Sequence, residues 1–330
     1  MGDTATANPL RQSLWPFALL YGAVGALRNW TFDARLRRVH RLGVPVVSIG
    51  NLTVGGTGKT PMVAWLCAQA HAAGRQPGVL ARGYGRAPGA ALNDEGLLLQ
   101  RRLPWLQQEQ DPDRVLAGAR LLQKGVDLVV LDDGFQHRRL HRDVDVVCLD
   151  ATLPFGNGLL LPAGDLREFR AGLARAHVLL LTRAGGLPEP ALQARVARLQ
   201  EVAGKPLPVF ACEHRADALV RAPAGEDVPL AALRGQRVVA WSAIARPAAF
   251  RSTLQSLGAE ITAEIVHRDH HRFTAAEVEA AQRRATAAGA WLVTTEKDDA
   301  RLAAFAQERY VLRIALQFLG SQPTLRDFLP

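Results

Sequence analysis

The sequence predicts an α/β protein with a doubly wound, mostly parallel sheet, a second, smaller α/β domain and an N-terminal apolar helix. Short apolar runs of strand length alternate with helical segments along most of the chain, which is typical of βαβ units. The first of these runs breaks into a glycine-rich turn that leads into a helix. Ligands of such folds bind outside the carboxyl ends of the strands, so the loops after the strands are the candidate site.

Size and composition limit the number of domains and the kinds of partner that the chain can have. The chain has 330 residues, of which 48% are hydrophobic and 22% charged, and this is long enough for two packed domains. The net charge of +9 favours an anionic partner, which includes nucleic acid, a membrane surface or a phosphorylated substrate. The three cysteines lie far apart without C-x-x-C spacing, which disfavours a disulfide framework or a zinc site and fits a reducing cytoplasm.

Residues 14–27 form an uncharged stretch near the N-terminus. About 14 helical residues span roughly 21 Å, which is too short to cross a hydrocarbon core of ~30 Å. We therefore expect residues 1–40 to comprise a helix that lies in or dips into one leaflet and a basic linker, with Trp15, Tyr21 and Trp30 at the headgroup boundary. Arginines at positions 28, 35, 37, 38 and 41 suit an anionic surface. The alternative is a helix packed on the core of the protein itself.

The glycine-rich turn follows an apolar run that begins at residue 44. Glycines let the backbone N–H groups point inward at a helix N-terminus, and this arrangement binds phosphate. Lys59 would reach the β- and γ-phosphates, and Thr60 would bind Mg²⁺. The sequence therefore predicts a P-loop NTPase-type fold, although Thr53 replaces the first glycine of the usual motif; the alternative is a βα turn without nucleotide. The predicted nucleotide-binding residues are Thr53, Val54, Gly55, Gly56, Thr57, Gly58, Lys59 and Thr60.

A second apolar run, residues 128–131, ends at Asp132 and Asp133. Such a strand end can hold Mg²⁺ opposite the Thr60 hydroxyl. The pattern alone is common in α/β proteins, but the upstream Gly-Lys-Thr turn makes a metal site the better interpretation. The guanine-reading pattern Asn-Lys-x-Asp does not occur, so the sequence favours ATP over GTP.

Three further sets of charged residues follow predicted strands or open predicted helices. Arg167 could stabilise a transferring phosphoryl group, and Glu168 could orient it or assist the metal, in a turn that opens a polar helix; the alternative is an exposed charge pair. Arg82 and Arg86 stand among glycines, as in a loop that approaches an anion or in a solvated turn. Asp94 follows Asn93 at a predicted helix start, where capping is the usual explanation.

The chain changes character after residue 215. Residues 216–235 are rich in Ala, Pro and Gly, so we expect a hinge there, with an ATP-binding domain over 41–215 and a smaller domain over 216–330 that closes the active-site cleft. The cluster at 267–273 could bind zinc, but no third ligand has suitable spacing, so a histidine that tunes a carboxylate is the better hypothesis. Thr274 and Glu277 have capping-box spacing, which predicts a helix start.

Six elements occur in order along nearly the whole chain and together resemble the tetraacyldisaccharide 4′-kinase (lipid A 4′-kinase) family. Thr53 within the glycine loop is typical of that family. The elements are Gly-Asn-Leu-Thr-Val-Gly-Gly-Thr-Gly-Lys-Thr-Pro at 50–61, Arg-Gly-Tyr-Gly at 82–85, Asp-Asp-Gly-Phe-Gln-His at 132–137, Leu-Pro-Ala-Gly-x-Leu-Arg-Glu at 161–168, Asp-His at 269–270 and Thr-Glu-Lys-Asp at 295–298.

The resemblance implies transfer of the ATP γ-phosphoryl group, with Mg²⁺, to the 4′-hydroxyl of an acylated glucosamine disaccharide 1-phosphate. It also implies a general base, Asp94, paired with His270, although this sequence has Asn93 and Gly96 where the family has Gly and Pro. The implied location is the cytoplasmic face of the bacterial inner membrane, with the protein peripheral or monotopic. No obligate protein partner is inferred.

Two other function classes are alternatives to the lipid kinase. A nucleotide-switch or partitioning-type P-loop protein usually has a second lysine near the start of the loop, where this chain has Thr53 and Val54. A nucleic-acid-binding NTPase is disfavoured because the basic residues are scattered and not interleaved with aromatic residues. The identity of the phosphate acceptor separates the three classes.

Overall fold

A computed structural model describes residues 13–86 and 89–330 of the chain; residues 1–12 of the predicted N-terminal segment lie outside this part. The chain forms two compact units. The first unit comprises residues 1–84, 105–213 and 317–330, and the second comprises 85–104 and 214–316. The chain passes from the first unit to the second after residue 213, close to the predicted boundary at 215. The prediction placed residues 85–104 in the ATP-binding domain and residues 317–330 in the smaller domain, whereas the structure has the reverse.

The first unit carries the glycine loop on a parallel sheet. Its strands are β1 Val46–Gly50, β2 Pro77–Ala81, β3 Gln107–Gln110, β4 Leu128–Asp132, β5 Val144–Asp150, β6 Val178–Thr182 and the start of β7 Val209–Ala222. Its helices are α1 Trp15–Asp33, α2 Lys59–Ala72, α4 Arg114–Leu122 and α5 Glu189–Ala203, with 3₁₀ turns at Arg170–Arg175, Ala184–Gly186 and Leu325–Phe328. The strand order β7-β6-β5-β1-β4-β2-β3 with parallel pairing confirms the predicted doubly wound sheet.

Strand β1 lies in the middle of this sheet, between β4 and β5, and all three strands are buried along their length. Ile49 of β1 pairs with Asp132 of β4. Because the strands are parallel, the loop that leaves Gly50 starts beside the carboxylate that ends β4. A Cβ atom at Gly50 would lie only 2.5 Å from Cβ of Phe135, so glycine permits the close approach of the two strand ends.

The second unit contains a smaller, mostly parallel sheet. Its strands follow the order β10-β9-β11-β12-β7, with β8 antiparallel to β7. They are β8 Glu226–Val228, β9 Arg237–Ser242, β10 Glu260–Val266, β11 Trp291–Thr295 and β12 Arg309–Leu319, and the helices are α3 Asp94–Arg102, α6 Pro247–Ser256, α7 Ala275–Ala287 and α8 Glu296–Arg301, with a 3₁₀ turn at Leu230–Leu233. The prediction of a hinge over 216–235 was wrong. Residues 216–222 continue β7, because Leu219 and Val220 are buried and this stretch pairs with β8.

Helix α1 confirms the predicted N-terminal helix. Only Ala18, Gly22 and Phe32 of this helix are buried, and a Cβ at Gly22 would lie 2.4 Å from Leu160, so the helix packs closely along one narrow side. Large apolar side chains occupy the rest of its surface and are exposed. They are Trp15, Phe17, Leu19, Leu20, Tyr21, Val24, Leu27 and Trp30. None of the described helices is long and apolar enough to cross a membrane.

Candidate active site

The glycine loop joins β1 to α2, as the sequence predicts. Gly55 and Gly58 have φ of 101° and 84°, a left-handed backbone that glycine adopts without strain. Gly58 is the N-cap of α2, so Lys59 and Thr60 stand in the first turn of this helix. The exposed N–H groups and the dipole of a helix N-terminus favour an anion at this position.

Residues outside the loop hold it in place, mainly through bonds to its carbonyl groups, although the Val54 N–H also donates to the carbonyl of Asp165 (2.8 Å). Asn51 Nδ2 donates to the carbonyl of Thr53 (2.6 Å), and Thr182 Oγ1 donates to the carbonyl of Thr57 (3.1 Å). Arg183 donates to the carbonyl of Gly56 and forms an ion pair with Asp150 (2.5 Å). These anchors leave N–H groups of the loop available for phosphate oxygens. The sequence did not predict the roles of Thr182 and Arg183. The one feature that could have indicated them is their position at the end of β6.

Two of the predicted phosphate-binding cations share one carboxylate. Lys59 Nζ lies 3.4 Å from Asp133 Oδ1, and Arg167 Nη1 lies 2.8 and 2.7 Å from the two oxygens of Asp133. Burial alone would raise the pKa of Asp133, but Lys59 and Arg167 outweigh burial and hold this pKa below its ordinary value. The cluster therefore carries one net positive charge beside the loop, which suits an anionic ligand.

Two of the predicted metal ligands, Asp132 and Thr60, lie close to the glycine loop. Asp132 is buried at the end of β4 beside β1, and Thr60 stands in the first turn of α2. A carboxylate and a hydroxyl are hard oxygen donors, as Mg²⁺ requires. The Thr57 hydroxyl, also in the loop, is buried and has no hydrogen-bond partner among the described residues. A ligand that brings polar oxygens to the loop would satisfy this hydroxyl.

Glu168 does not have the surroundings of an open metal ligand. Its Oε1 accepts from Gln136 (2.9 Å) and Arg175 (2.8 Å), and its Oε2 accepts from Asn29 (3.1 Å) and Arg175 (2.7 Å). These bonds fill the roughly four acceptor positions of a carboxylate. Glu168 therefore joins α1 to the loop after β4, and its assistance to the metal stays a prediction. The turn at 160–168 is followed by a 3₁₀ turn at Arg170–Arg175 in place of the expected polar helix.

The contacts of Glu168 predict that Glu168→Ala lowers the free energy of unfolding by about 3 kcal/mol, because the largely buried Arg175 charge then loses its carboxylate partner. Urea denaturation without Mg²⁺ measures the change. Glu201→Ala is the matched control, since Glu201 forms an exposed pair with Arg198 and should cost less than about 1 kcal/mol. Equal losses in the two variants would contradict the anchor role.

The predicted base and its histidine partner lie together in the second unit. Asp94 is the first residue of α3, and Asn93 caps this helix by accepting from Gly96 N (3.0 Å). Asp94 Oδ2 lies 3.0 Å from His270 Nδ1. His270 has φ of 62°, a left-handed conformation that is uncommon outside glycine and indicates a constrained turn.

Two basic residues lie near this pair, and the sequence did not predict that they would. Lys297 Nζ lies 3.3 Å from His270 Nε2 and donates to Asp269 Oδ1 (3.1 Å). Arg301 Nε lies 3.0 Å from Asp94 Oδ2. Both residues belong to α8, which Thr295 caps by accepting from the Asp298 N–H. Lys297 is part of the Thr-Glu-Lys-Asp element, and Arg301 follows that element by about one helical turn.

The histidine cluster beside His270 does contain a third candidate ligand, so that part of the sequence analysis was wrong. His267, His271 and Glu277 bring their donor atoms within 4.8 Å of one another. His271 Nε2 bonds Glu277 Oε1 (3.0 Å), the two imidazole rings stack, and Glu277 Oε2 completes the predicted capping box with Thr274. The backbone N–H of Thr274 and the His271 contact lower the pKa of Glu277 to about 2. The cluster is thus satisfied by its own hydrogen bonds and fixes the turn that carries His270.

Arg114, which is buried, and His137, which is half-buried, are two further titratable residues of the first unit whose pKa values are lowered. The Arg114 residue is 6% exposed, and its pKa is lowered by burial and by Arg82, against the opposing effect of Asp133. Burial, helped by Arg114 and Arg142, lowers the pKa of His137 to about 3, so this imidazole is neutral at pH 7. Sequence reasoning missed Arg114 because it reads as an ordinary first residue of α4.

The chain is similar to known proteins over nearly its whole length. The family model described as tetraacyldisaccharide-1-P 4′-kinase (LpxK) matches residues 10–330. The tetraacyldisaccharide 4′-kinase of Anaeromyxobacter sp. (strain K) is 45% identical, over 94% of this chain and 87% of that protein. The one from Syntrophus aciditrophicus is 39% identical over 92% and 87%. The crystal structure of "apo" form LpxK from Aquifex aeolicus in complex with ATP is similar at a TM-score of 0.74, with 30% identity over 94% of this chain and 95% of that chain.

Proposed function

Because the chain belongs to the tetraacyldisaccharide-1-P 4′-kinase family, we propose that it transfers the γ-phosphoryl group of ATP to the 4′-hydroxyl of a tetraacylated glucosamine disaccharide 1-phosphate. The product is the bis-phosphorylated precursor of lipid A. The observation that carries the proposal is the pair of cations, Lys59 and Arg167, that converge on Asp133 beside a glycine loop of the P-loop type. The test is transfer of label from [γ-³²P]ATP to that lipid.

ATP binding is assigned to the first unit. The β- and γ-phosphates would take the loop N–H groups and the Lys59 ammonium, which now pairs with Asp133. The buried Thr57 hydroxyl, which lacks a partner among the described residues, would gain one. Mg²⁺ would be held by Thr60 and Asp132, and it supplies neutralisation of the negative charge on the β- and γ-phosphates. Asp133 is proposed to position Lys59 and Arg167 and is not proposed as a direct metal ligand.

The transfer itself needs one proton acceptor and one charge stabiliser. The 4′-oxygen forms a bond to the γ-phosphorus while the bond from that phosphorus to the β,γ-bridging oxygen breaks, and ADP leaves. The hydroxyl proton passes to the Asp94 carboxylate, which His270 holds through Oδ2. Arg167 stabilises charge on the transferring phosphoryl oxygens. Positioning and neutralisation supply most of the rate in such a reaction.

The acceptor also explains the exposed apolar side of α1. A lipid with four acyl chains stays in the bilayer, so the enzyme has to work at the membrane surface. Large side chains such as Phe17, Leu20 and Leu27 are exposed on α1, and arginines follow in residues 35–41. We propose that α1 lies in the cytoplasmic leaflet of the inner membrane, peripheral or monotopic, with the arginines at anionic headgroups.

A double substitution tests the membrane role of α1. Phe17→Ser with Leu20→Ser should weaken binding to phosphatidylglycerol-containing vesicles at least tenfold, because two apolar side chains would lose burial worth roughly 3 kcal/mol or more. Vesicle sedimentation measures binding, and ATP affinity should stay unchanged. The matched control is Leu116→Ser with Leu153→Ser, which alters two exposed leucines elsewhere on the same unit. Equal sedimentation of both double variants would refute the assignment.

A further inference from the structure

We propose that Arg301 is the positioning residue of Asp94: it fixes the carboxylate through Oδ2 and leaves Oδ1 to accept the proton of the acceptor hydroxyl. The inference rests on the proposed function, since it assumes that Asp94 is the base. It assigns a role to a residue of α8 that neither the motifs nor the resemblance pointed to.

Arg301 is itself firmly held. Its side chain is only 5% exposed. Nη1 lies 3.3 Å from Asp298 Oδ1 and donates to the carbonyls of His271 (3.1 Å) and Ala243 (3.3 Å). A guanidinium is planar, so fixing Nη1 also fixes the direction in which Nε meets the Asp94 carboxylate.

Asp298, which contacts Arg301, is also held in place by its surroundings. Asp298 is fully buried, and its Oδ2 accepts from Thr295 Oγ1 (2.6 Å) and from Ala243 N (3.1 Å). Burial raises the pKa of Asp298, against the opposing effects of Thr295, Ala243 and the nearby Arg301 charge. Asp298 and Arg301 thus form a buried pair that places a permanent positive charge beside the proposed base.

The two contacts of Asp94 fall on the same oxygen. His270 Nδ1 lies at hydrogen-bond distance from Oδ2 (3.0 Å), and Arg301 Nε lies 3.0 Å from the same oxygen as an ion pair without hydrogen-bond alignment. Two fixed neighbours at one oxygen set the plane of the carboxylate, so Oδ1 has a defined direction and remains available as the proton acceptor. General-base efficiency depends on such geometry, since a misplacement of about 1 Å can cost ~10²-fold in rate.

Arg301 is held more firmly than His270. The His270 side chain is 51% exposed and has Lys297 and Asp269 around its other nitrogen. The Arg301 side chain, by contrast, is only 5% exposed, so it is the more rigid of the two neighbours. Among the described residues, the groups that contact Asp94 directly are His270 and Arg301, while Lys297 and Asp269 contact the histidine and Asp298 contacts the arginine.

The test compares Arg301→Gln and Arg301→Lys in the full chain, with kcat and KM measured for ATP and for the lipid acceptor. For Arg301→Gln we expect kcat at pH 7 to fall about 10²-fold while the KM for ATP changes less than about twofold. Because Arg301 acts through the base, kcat and kcat/KM for the lipid should fall together. Arg301→Lys keeps a cation at this position, so kcat should recover in part.

Two further variants distinguish a structural role of Arg301 from a failure of the proposed base. Arg309→Gln also removes a buried arginine that pairs with an aspartate, Asp299, but among the described residues it has no contact with Asp94, so its kcat should stay close to wild type. If Arg301→Gln and Arg309→Gln lose kcat equally, Arg301 is only structural and the inference is overturned. Asp94→Asn is measured in parallel: wild-type activity in that variant would show that Asp94 is not the base. An inactive Asp94→Asn with a near-normal kcat in Arg301→Gln would overturn only the role of Arg301.

Discussion

Lys59→Ala is expected to abolish turnover, with kcat reduced at least about 10³-fold. Lys59 stands in the first turn of α2, directly after the glycine loop, and its ammonium reaches the Asp133 carboxylate 3.4 Å away. Alanine leaves no charge there for the β- and γ-phosphates, while the loop N–H groups remain. Steady-state transfer from labelled ATP at saturating acceptor measures the loss.

The same substitution should also weaken ATP binding, which titration calorimetry can follow. Lys124→Ala is the matched control, since it removes a surface lysine of the same unit that pairs with Glu109. It should leave kcat and ATP affinity close to wild type. A Lys59→Ala enzyme with more than about a tenth of wild-type activity would contradict the role of the loop, because one lost charge contact in such a site costs far more.

Asp94→Asn is expected to lower kcat by about 10²- to 10⁴-fold with little change in ATP affinity. Asparagine keeps the size and can still contact His270, but it cannot accept the hydroxyl proton at neutral pH. A fall in kcat and kcat/KM together is the signature of an interaction made in the transition state. If only KM rises, Asp94 binds the acceptor and the base lies elsewhere.

Glu95→Gln provides the control for Asp94. It neutralises the adjacent carboxylate in the first turn of the same helix, so it reproduces any effect of charge on the N-terminus of α3. Such an effect on helix stability is worth less than about 1 kcal/mol. We expect Glu95→Gln to retain near-normal kcat, so that the loss in Asp94→Asn can be assigned to the carboxylate itself.

Local patterns explain which parts of the fold could be predicted. The strand–loop–helix around Lys59 and the capping box of Thr274 and Glu277 involve residues within a few positions of one another, and the structure has both. Strand β3, Gln107–Gln110, gave no signal because its residues are polar and it lies at the edge of the sheet. The stretch at 216–222 was misread because the Ala, Pro and Gly content of residues 216–235 masked two buried strand residues.

Long-range contacts explain what the sequence could not predict. Glu168 looked like a ligand because it follows Arg167, but its partners Asn29, Gln136 and Arg175 come from three separate segments. Pairing of Asp94 with His270 joins residues 176 positions apart. It came from the resemblance to a known family, since no local pattern links these two positions. Arg301 escaped notice for the same reason.

The most direct test of the account is transfer of ³²P from [γ-³²P]ATP to tetraacyldisaccharide 1-phosphate in mixed micelles with Mg²⁺, using the full chain. The product's new phosphate is then located by mass spectrometry. The account predicts a bis-phosphorylated lipid with phosphate at the 4′-position, formed by the wild type and by Lys124→Ala and lost in Lys59→Ala and Asp94→Asn. ATP hydrolysis without lipid labelling, or labelling that persists in Lys59→Ala, would contradict it.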